Sequence, residues 1–296
     1  MSYLLETLVY LCAGILLANL LLELGLTRYL AGAVAPFLSA SHLSGEVAAS
    51  AFARMLSPSA GYSTLAEFLR RGRVTEREVL LTTFLTSFPY EVLRVPKFYL
   101  PVMVPLVGAP LAAKYMAVKL GSGFIQSSAA LLYARLRLPE RRVELRQRRG
   151  GSNVRRALEQ SFKTLIRVLP VFLAAYLGVR YLLNSGVLEE FAGVAQPVMA
   201  VFSLPGEAAI VIATQLANVI AGFAVAGELL KQGLLTQEEA LVTLVLGLVL
   251  SLPRIYAQHT LPVVASLFSR GMALRIIFFK IAFEALALLV MLLVVL

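Results

Sequence analysis

The chain repeats its own pattern once. When residues 1 to about 120 are shifted forward by 161 positions, they align with the second half without a gap. The aligned pairs include Gly25 with Gly186, Gly32 with Gly193, Pro36 with Pro197, Gly45 with Gly206, Gly61 with Gly222, Glu67 with Glu228, Gly72 with Gly233, Glu78 with Glu239 and Pro101 with Pro262. Most of these identities are glycine, proline or glutamate, so apolar bias alone does not produce them. Two copies of one structural unit are therefore predicted.

The apolar composition indicates a lipid environment. Hydrophobic residues make up 59% of the sequence, and its mean hydropathy is +0.80. Since about 20 apolar residues cross a bilayer as a helix, the long runs with almost no charge predict a polytopic membrane protein. We expect an all-α transmembrane bundle of about 10 to 12 helical segments, some broken or re-entrant because their apolar runs are short.

The net charge of +10 is not spread evenly along the chain, and a cluster of arginines lies between the two repeats. The arginines concerned are Arg141, Arg142, Arg146, Arg148, Arg149, Arg155 and Arg156. We divide the chain into a first transmembrane repeat at 1–137, a basic linker at 138–161 and a second repeat at 162–296. The positive-inside rule places the linker in the cytoplasm. Because such clusters usually contact anionic lipid head groups, the bilayer is the expected partner and nucleic acid is not.

Two motifs mark the starts of equivalent helices. Thr75 with Glu78, and Thr236 with Glu239, have the spacing of a capping box, in which each residue binds the backbone amide of the other. A glycine three residues before each threonine is placed where the preceding helix should end. Each half is therefore predicted to contain a helical hairpin.

The two predicted hairpins span residues 46–93 and 207–253. Their tips differ in charge. The second tip combines Lys231 with Glu238 and Glu239, whereas the first tip is basic, with Arg70, Arg71, Arg73 and Arg77. Equivalent loops of opposite charge bias are expected on opposite sides of a membrane. The two repeats are therefore predicted to have inverted topology.

Each predicted hairpin contains two helix breaks. On the first arms, Pro58 removes a backbone donor, Gly61 loosens the next turn, and the equivalent stretch is 215–222. On the second arms, breaks are expected at residues 86–91 and 251–256. Pseudo-symmetry would bring the four breaks together near the bilayer midplane, where freed amides and carbonyls can bind a solute. A transporter core with a central site is the usual product of such repeats.

Polar residues at these breaks are the candidate substrate-binding groups. They are Ser57, Ser59, Gly61, Tyr62, Ser87, Tyr90, Glu91, Gln215, Asn218, Gly222, Ser251 and Arg254. Intramembrane charges are functional candidates by default, so we expect Glu91 and Arg254 to pair or to flank the solute path. The alternative is structural, because serines often bond to a freed carbonyl at a kink and tyrosines often lie at the membrane surface.

Enzymatic chemistry is not predicted. The sequence has no aspartate, a single cysteine (Cys12), and no zinc-protease, nucleophile-elbow or P-loop motif. A serine-histidine pair formed by Ser57 or Ser87 with His259 is the remaining catalytic alternative. We expect no catalytic residue, no metal site and no cofactor.

The repeated unit resembles a known membrane domain. The resemblance lies in the broken hairpin from Gly45-Glu46 to Gly61-Tyr62, in the capping-box turn and in Ser87-Phe88-Pro89-Tyr90. These segments are similar to the Gate or nucleoside recognition domain of bacterial and archaeal membrane proteins, of spore maturation proteins A and B, and of the membrane part of ferrous-iron transporter B. The resemblance implies two inverted Gate repeats in the cell membrane of a prokaryote, and solute translocation. The resemblance to the ferrous-iron transporter is only partial, because the breaks contain no cysteine.

Two classes of function follow from these features. The first is a multi-pass transporter or channel for a small polar or anionic solute, such as a nucleoside, with a site between the repeats. The second is a non-transporting membrane scaffold that binds a partner membrane protein or a second copy of itself. A polar cavity at the breaks would favour transport, and a centre closed by leucine, valine and phenylalanine would favour the scaffold.

Overall fold

The computed structural model describes residues 45–137 except Ser57, residues 199–296, and isolated positions between 9 and 16 and between 155 and 197. The two long ranges consist of helices joined by short turns, which confirms the predicted all-α class for this part of the chain. The segments predicted before residue 45, the linker arginines up to Arg149 and the candidate Ser57 lie outside the described residues.

The described helices follow one order in both halves. In the first half they are α1 (Gly45–Leu56), α2 (Pro58–Arg70), α3 (Glu76–Leu85), α4 (Ser87–Arg94), the π-helix π1 (Val95–Met103), α5 (Val104–Val107) and α6 (Ala109–Arg137). In the second half they are α7 (Ala208–Ala217), α8 (Val219–Lys231), α9 (Gln237–Ile255), the π-helix π2 (Tyr256–Thr260), α10 (Leu261–Leu267) and α11 (Arg270–Val295). Both ends of α8 lie 161 positions after the ends of α2, and π2 begins 161 positions after π1.

Both predicted capping boxes are present. The Glu78 amide donates to the Thr75 hydroxyl at 3.3 Å, and the Thr75 amide donates to Glu78 Oε2 at 2.7 Å. Thr236 and Glu239 form the same two bonds at 3.2 and 2.7 Å. The glycine before each box has a φ of +66° or +72°, which a residue without a Cβ adopts freely. The two hairpin turns are therefore built by the same local interactions.

The breaks on the first arms occur where they were predicted. Helix α1 gives way to α2 at position 57, and α7 gives way to α8 at Asn218. Asn218 is extended, with a φ of −153°, and its Oδ1 accepts from the amides of Ile220 at 2.9 Å and Ala221 at 3.2 Å. The side chain at this break is therefore the N-cap of the next helix.

The breaks on the second arms differ from each other. Thr86 separates α3 from α4, so the predicted break at 86–91 is limited to its first position and the remainder is helical. Helix α9 runs through Pro253 and changes to π2 at Tyr256. The expected break at 251–256 is therefore wrong up to residue 255. The π-helical turn at Tyr256 shifts the hydrogen-bond register without ending the helical segment.

Each half packs its last helices against the hairpin of the other half. One core joins π1, α5 and α6 to α7, α8 and α9, and its buried members include Tyr99, Met103, Phe223 and Leu244. The other core joins α1, α2 and α3 to α10 and α11, and its buried members include Tyr62, Leu65, Val264 and Ile276. The centre of the molecule is therefore a junction to which both halves contribute.

Helix α11 has the side-chain distribution expected in lipid. Lys280 and Glu284 are only 5% and 9% exposed, whereas Phe279 and Leu293 are 50% and 79% exposed. Charges turned inward and large apolar side chains turned outward are typical of a membrane helix. Helix α11 and the continuous segment Gln237–Leu267 are the two candidate spans by length and hydropathy within the described residues.

Candidate functional site

A cavity of about 790 Å³ lies at the junction of the two halves. It has the volume of a pocket for a small organic molecule. Among the residues in its wall are five with a cationic side chain and two glutamates, namely Arg54, Arg94, Lys119, Arg254, Lys280, Glu91 and Glu284. Because charges are costly inside a membrane protein, such a group marks a binding site or a solute path.

Lys119 on α6 bridges two carboxylates. Its Nζ lies 3.2 Å from Glu91 Oε1 and 3.1 Å from Glu284 Oε1. All three residues are buried. Glu91 belongs to α4 of the first half and Glu284 to α11 of the second half, so the Lys119 bridge connects the two halves. Each pair is charge-assisted and shielded from solvent, which makes it far stronger than a surface ion pair.

Two tyrosines form hydrogen bonds with the other oxygen of each carboxylate. The Tyr99 hydroxyl donates to Glu91 Oε2, and the Tyr256 hydroxyl donates to Glu284 Oε2 at 2.5 Å. Each carboxylate therefore has Lys119 at one oxygen and a tyrosine at the other. Tyr99 lies in π1 and Tyr256 in π2, so both π-helices supply a donor to the site.

Arg94 adds a second cation beside Glu91. Its Nη1 lies 3.5 Å from Glu91 Oε1. Its guanidinium also lies over two aromatic rings, with Cζ 5.2 Å from the centroid of Phe98 and 5.3 Å from that of Tyr99. Lys119 and Arg94 therefore supply two positive charges for the two carboxylates, and cation–π contacts hold Arg94 in place.

Lys280 on α11 has neutral partners. Its Nζ donates to Ser87 Oγ and to Gln126 Oε1, both at 2.5 Å, and the Ser87 hydroxyl donates to Gln126 Oε1 at 3.1 Å. Ser87 is brought there by the close packing of α4 on α6: Ser127 Oγ accepts from the Phe88 amide at 3.0 Å. These contacts hold the first turn of α4 against the cavity wall.

Arg54 and Tyr62 form a third polar group, on the first hairpin. Arg54 Cζ lies 4.6 Å from the centroid of the Tyr62 ring. Tyr62 is 1% exposed, and neither its hydroxyl nor Arg54 Nη1 has a hydrogen-bond partner among the described residues. Buried polar atoms in native proteins are normally paired, so these two are candidates to bind a ligand.

Seven of the residues predicted from the sequence lie in the cavity wall. They are Ser59, Tyr62, Ser87, Tyr90, Glu91, Asn218 and Arg254. Glu91 and Arg254 do not pair, because Glu91 is bound by Lys119 and the Arg254 Nη1 donates to Gln258 at 2.9 Å. Both residues lie in the cavity wall, and a place beside the solute path stays a prediction for them.

The remaining described candidates, Gly61, Gln215, Gly222 and Ser251, lie outside the cavity wall. A Cβ on Gly61 would lie 2.2 Å from Arg54 Cβ, and one on Gly222 would lie 2.5 Å from Gln215 Cβ, so both glycines allow two helices to approach closely. Gln215 donates from Nε2 to the carbonyl of Leu244 at 3.0 Å. The Ser251 hydroxyl donates to a carbonyl of its own helix at 2.6 Å, as the structural alternative anticipated.

Sequence reasoning missed the charged residues that lie outside the breaks. These are Arg54, Arg94, Lys119, Lys280 and Glu284. One available signal was the repeat itself, since Lys119 and Lys280 are 161 positions apart and each interrupts an apolar helix. A charge kept at the same place in both copies was stronger evidence for a site than a serine at a kink.

The chain has relatives over nearly its whole length. It is 28% identical over 305 residues to a protein named Uncharacterized protein MJ0880 of Methanocaldococcus jannaschii, covering 99% of this chain and 98% of that protein. It is 28% identical over 267 residues to Uncharacterized protein MJ0871 of the same organism, covering 89% and 84% of the two chains. A third relative from that organism, Uncharacterized protein MJ1589, is 25% identical, with coverage of 79% and 92%. No solved structure matches the chain.

A family model also matches the chain, in the half that contains α8, α9 and π2. The matched range is 165–274, and the family is Gate, described as nucleoside recognition. This range contains the Asn218 break and Tyr256, which donates to Glu284 across the cavity. Residues 165–274 are therefore similar to the Gate domain, the family that the repeated unit was found to resemble.

Proposed function

We propose that this protein is an integral membrane transporter or channel that moves a small polar or anionic solute, such as a nucleoside, through the cavity between its halves. The observation that carries the proposal is the buried Lys119 bridge in the wall of a 790 Å³ cavity. A helical protein that only needed to fold in lipid would gain nothing from enclosing two carboxylates and five cations.

The match to the Gate family supports the proposal, because that family is associated with membrane transport. We further propose that the two halves are homologous repeats of inverted topology in a prokaryotic cell membrane, with the basic linker in the cytoplasm. The equal spacing of α2 and α8 and of the two π-helices supports a repeat. Inverted repeats permit alternating access, in which one repeat rocks against the other around a central site.

The Lys119 bridge suggests how such movement would be coupled to the solute. Glu91 and Glu284 lie in different halves, so displacement of one half relative to the other changes the distance from Lys119 to at least one of them. A solute that binds one arrangement of the two halves more tightly than the other would therefore shift the equilibrium between them. The scaffold alternative is less well supported because the cavity wall contains seven charged side chains.

The test is solute counterflow in proteoliposomes that contain the purified protein. Liposomes are loaded with one nucleoside, nucleobase or organic anion, and entry of the same labelled compound is measured. We expect Glu284→Gln to reduce uptake more than tenfold, since it removes a charge from the bridge. Glu238→Gln is the matched control, because Glu238 is exposed and lies outside the cavity wall. Absence of uptake of every compound by folded protein would contradict the proposal.

A further inference from the structure

The cations of the cavity wall fall into two groups. Lys119 and Arg94 lie within 4.0 Å of carboxylates. Arg54, Lys280 and Arg254 are in none of the ion pairs found at that distance among the described residues. The wall therefore holds three cations more than it has carboxylates to match. A cavity with that balance attracts negative charge.

Two members of the unmatched group act on each other. The positive charge of Arg54 acts against that of Lys280, whereas the larger electrostatic influence on Lys280 is the opposite charge of Glu284. Tyr62, which lies beneath the Arg54 guanidinium, brings a buried hydroxyl without a hydrogen-bond partner among the described residues. Two like charges and an unbonded hydroxyl in one wall are stabilised together by a single anion, which relieves the repulsion and accepts the free hydrogen bonds.

The same cavity has an aromatic side. Tyr115 and Phe223 meet edge to face with their centroids 5.2 Å apart, and Phe98 packs on Phe223 at 6.0 Å. All three residues are in the cavity wall. Such a surface suits a flat, uncharged ring, which packs on aromatic edges and faces at similar distances.

We propose that Arg54, Tyr62 and Lys280 form an oxyanion subsite, and that the solute is a small organic anion with one carboxylate or phosphate group attached to a ring. This inference rests on the proposed function and narrows its solute class. The oxyanion accepts hydrogen bonds from Arg54 Nη1, the Tyr62 hydroxyl and Lys280 Nζ, while the ring lies against the aromatic side. Lys119 is not part of the subsite, because its two carboxylates already occupy it.

The test compares each of two anionic probes with an uncharged counterpart. Isothermal titration calorimetry on the detergent-purified protein is performed with adenosine 5′-monophosphate against adenosine, and with benzoate against benzamide. The subsite predicts that at least one anion binds tenfold or more tightly than its neutral counterpart, which is the size of one charge-assisted hydrogen bond. The pair that shows the difference distinguishes a phosphate from a carboxylate.

Two variants locate the effect. Arg54→Gln is a mild change, because Gln215 occupies the equivalent position and packs against the equivalent glycine. Lys280→Met removes the other charge. Each variant should weaken anion binding at least tenfold and leave binding of the neutral probe unchanged. Lys114→Met is the matched control, since Lys114 lies on α6 and outside the cavity wall. Tyr62→Phe, which removes only the hydroxyl, replaces Arg54→Gln if that variant does not fold.

The outcomes separate this inference from the proposed function. Equal affinity for the charged and neutral probes, or equal losses in Lys114→Met and Lys280→Met, would overturn the oxyanion subsite. Absence of binding by all four probes would also overturn it. Counterflow of any neutral nucleoside in the same preparation would still support transport, whereas failure of counterflow with every compound would remove both proposals.

Discussion

Lys119 and Lys280 occupy equivalent positions in the two halves and have different partners. They are 161 positions apart, on α6 and α11 respectively, and both are buried. Lys119 is bound by two carboxylates, whereas Lys280 is bound by the serine hydroxyl and amide oxygen described above. One lysine is therefore neutralised and connects the halves, and the other retains an unmatched charge in the cavity wall.

The difference arises from neighbours that the repeat does not share. Glu91, which contacts Lys119, corresponds to Leu252 in the second half, and Glu284 corresponds to Gly123 in the first half. A repeat fixes where a helix places its side chains, but each copy can then change the partners. In this molecule the two lysines are 161 positions apart and their partners differ, which suits the asymmetric solute that we propose.

The difference between the two lysines is tested most directly by removing Lys119. In Lys119→Met, two buried carboxylates lose their shared cation, and removing one partner of a buried ion pair costs about 3–5 kcal/mol. Urea unfolding in detergent, followed by circular dichroism at 222 nm, measures this change in the free energy of unfolding.

A double variant is the control for this prediction. Lys119→Met leaves Glu284 without an ion-pair partner among the described residues, whereas Glu91 keeps Arg94, so adding Glu284→Gln should make the double variant more stable than Lys119→Met alone. Equal stability of the single and double variants would show that the loss comes from packing of the lysine stem and not from its charge.

Removing the tyrosine hydroxyls tests whether the two carboxylates are held equally. Tyr99→Phe and Tyr256→Phe each delete one donor to an ionised group, a bond that contributes about 1.5–3 kcal/mol. Since each carboxylate has one tyrosine and a share of Lys119, we expect similar losses in the same unfolding measurement. A loss confined to Tyr99→Phe would mean that Glu91, which also has Arg94, depends on the network differently from Glu284.

The fold was more predictable from the sequence than the site because its signals are local. A capping box is specified by residues three apart, such as Thr75 and Glu78, and the break at Asn218 lies in a stretch chosen for its polar residues and glycine. The site depends on contacts such as Lys119 with Glu284, 165 positions away. No local pattern specifies which side chains meet across that separation.

Two predicted site residues lie outside the cavity wall for a definite physical reason. Ser251 and Gln215 were expected to bind a solute because they are polar and near a break, yet each satisfies a carbonyl inside the helix packing. Polarity in a membrane helix identifies a residue that needs a partner, and that partner is often the nearest free backbone group. Charged residues are better indicators, because a carbonyl alone cannot neutralise them.

Removing Lys280 should cost less than removing Lys119. In Lys280→Met, no opposite charge is left behind, and the Ser87 hydroxyl still donates to Gln126. We expect a loss of about 1.5 kcal/mol or less in the free energy of unfolding. Two hydrogen bonds are lost, but the cost of burying a positive charge is also removed. A loss as large as that of Lys119→Met would contradict the assignment of one lysine to stability and the other to the solute.

The smallest effects are expected at the two capping boxes. Removing either box should lower the free energy of unfolding by the same amount. Thr75→Ala and Thr236→Ala each remove the hydroxyl of a capping box, at a cost of about 1 kcal/mol. The two boxes agree in every bond to within about 0.2 Å, so the two losses in the free energy of unfolding should be equal within error. Equal losses at the caps together with unequal losses at the lysines would mean that the helical framework stayed symmetric while the cavity diverged. Unequal losses at the caps would mean instead that the two hairpins differ in stability, and the lysine comparison would then have to be corrected for that difference.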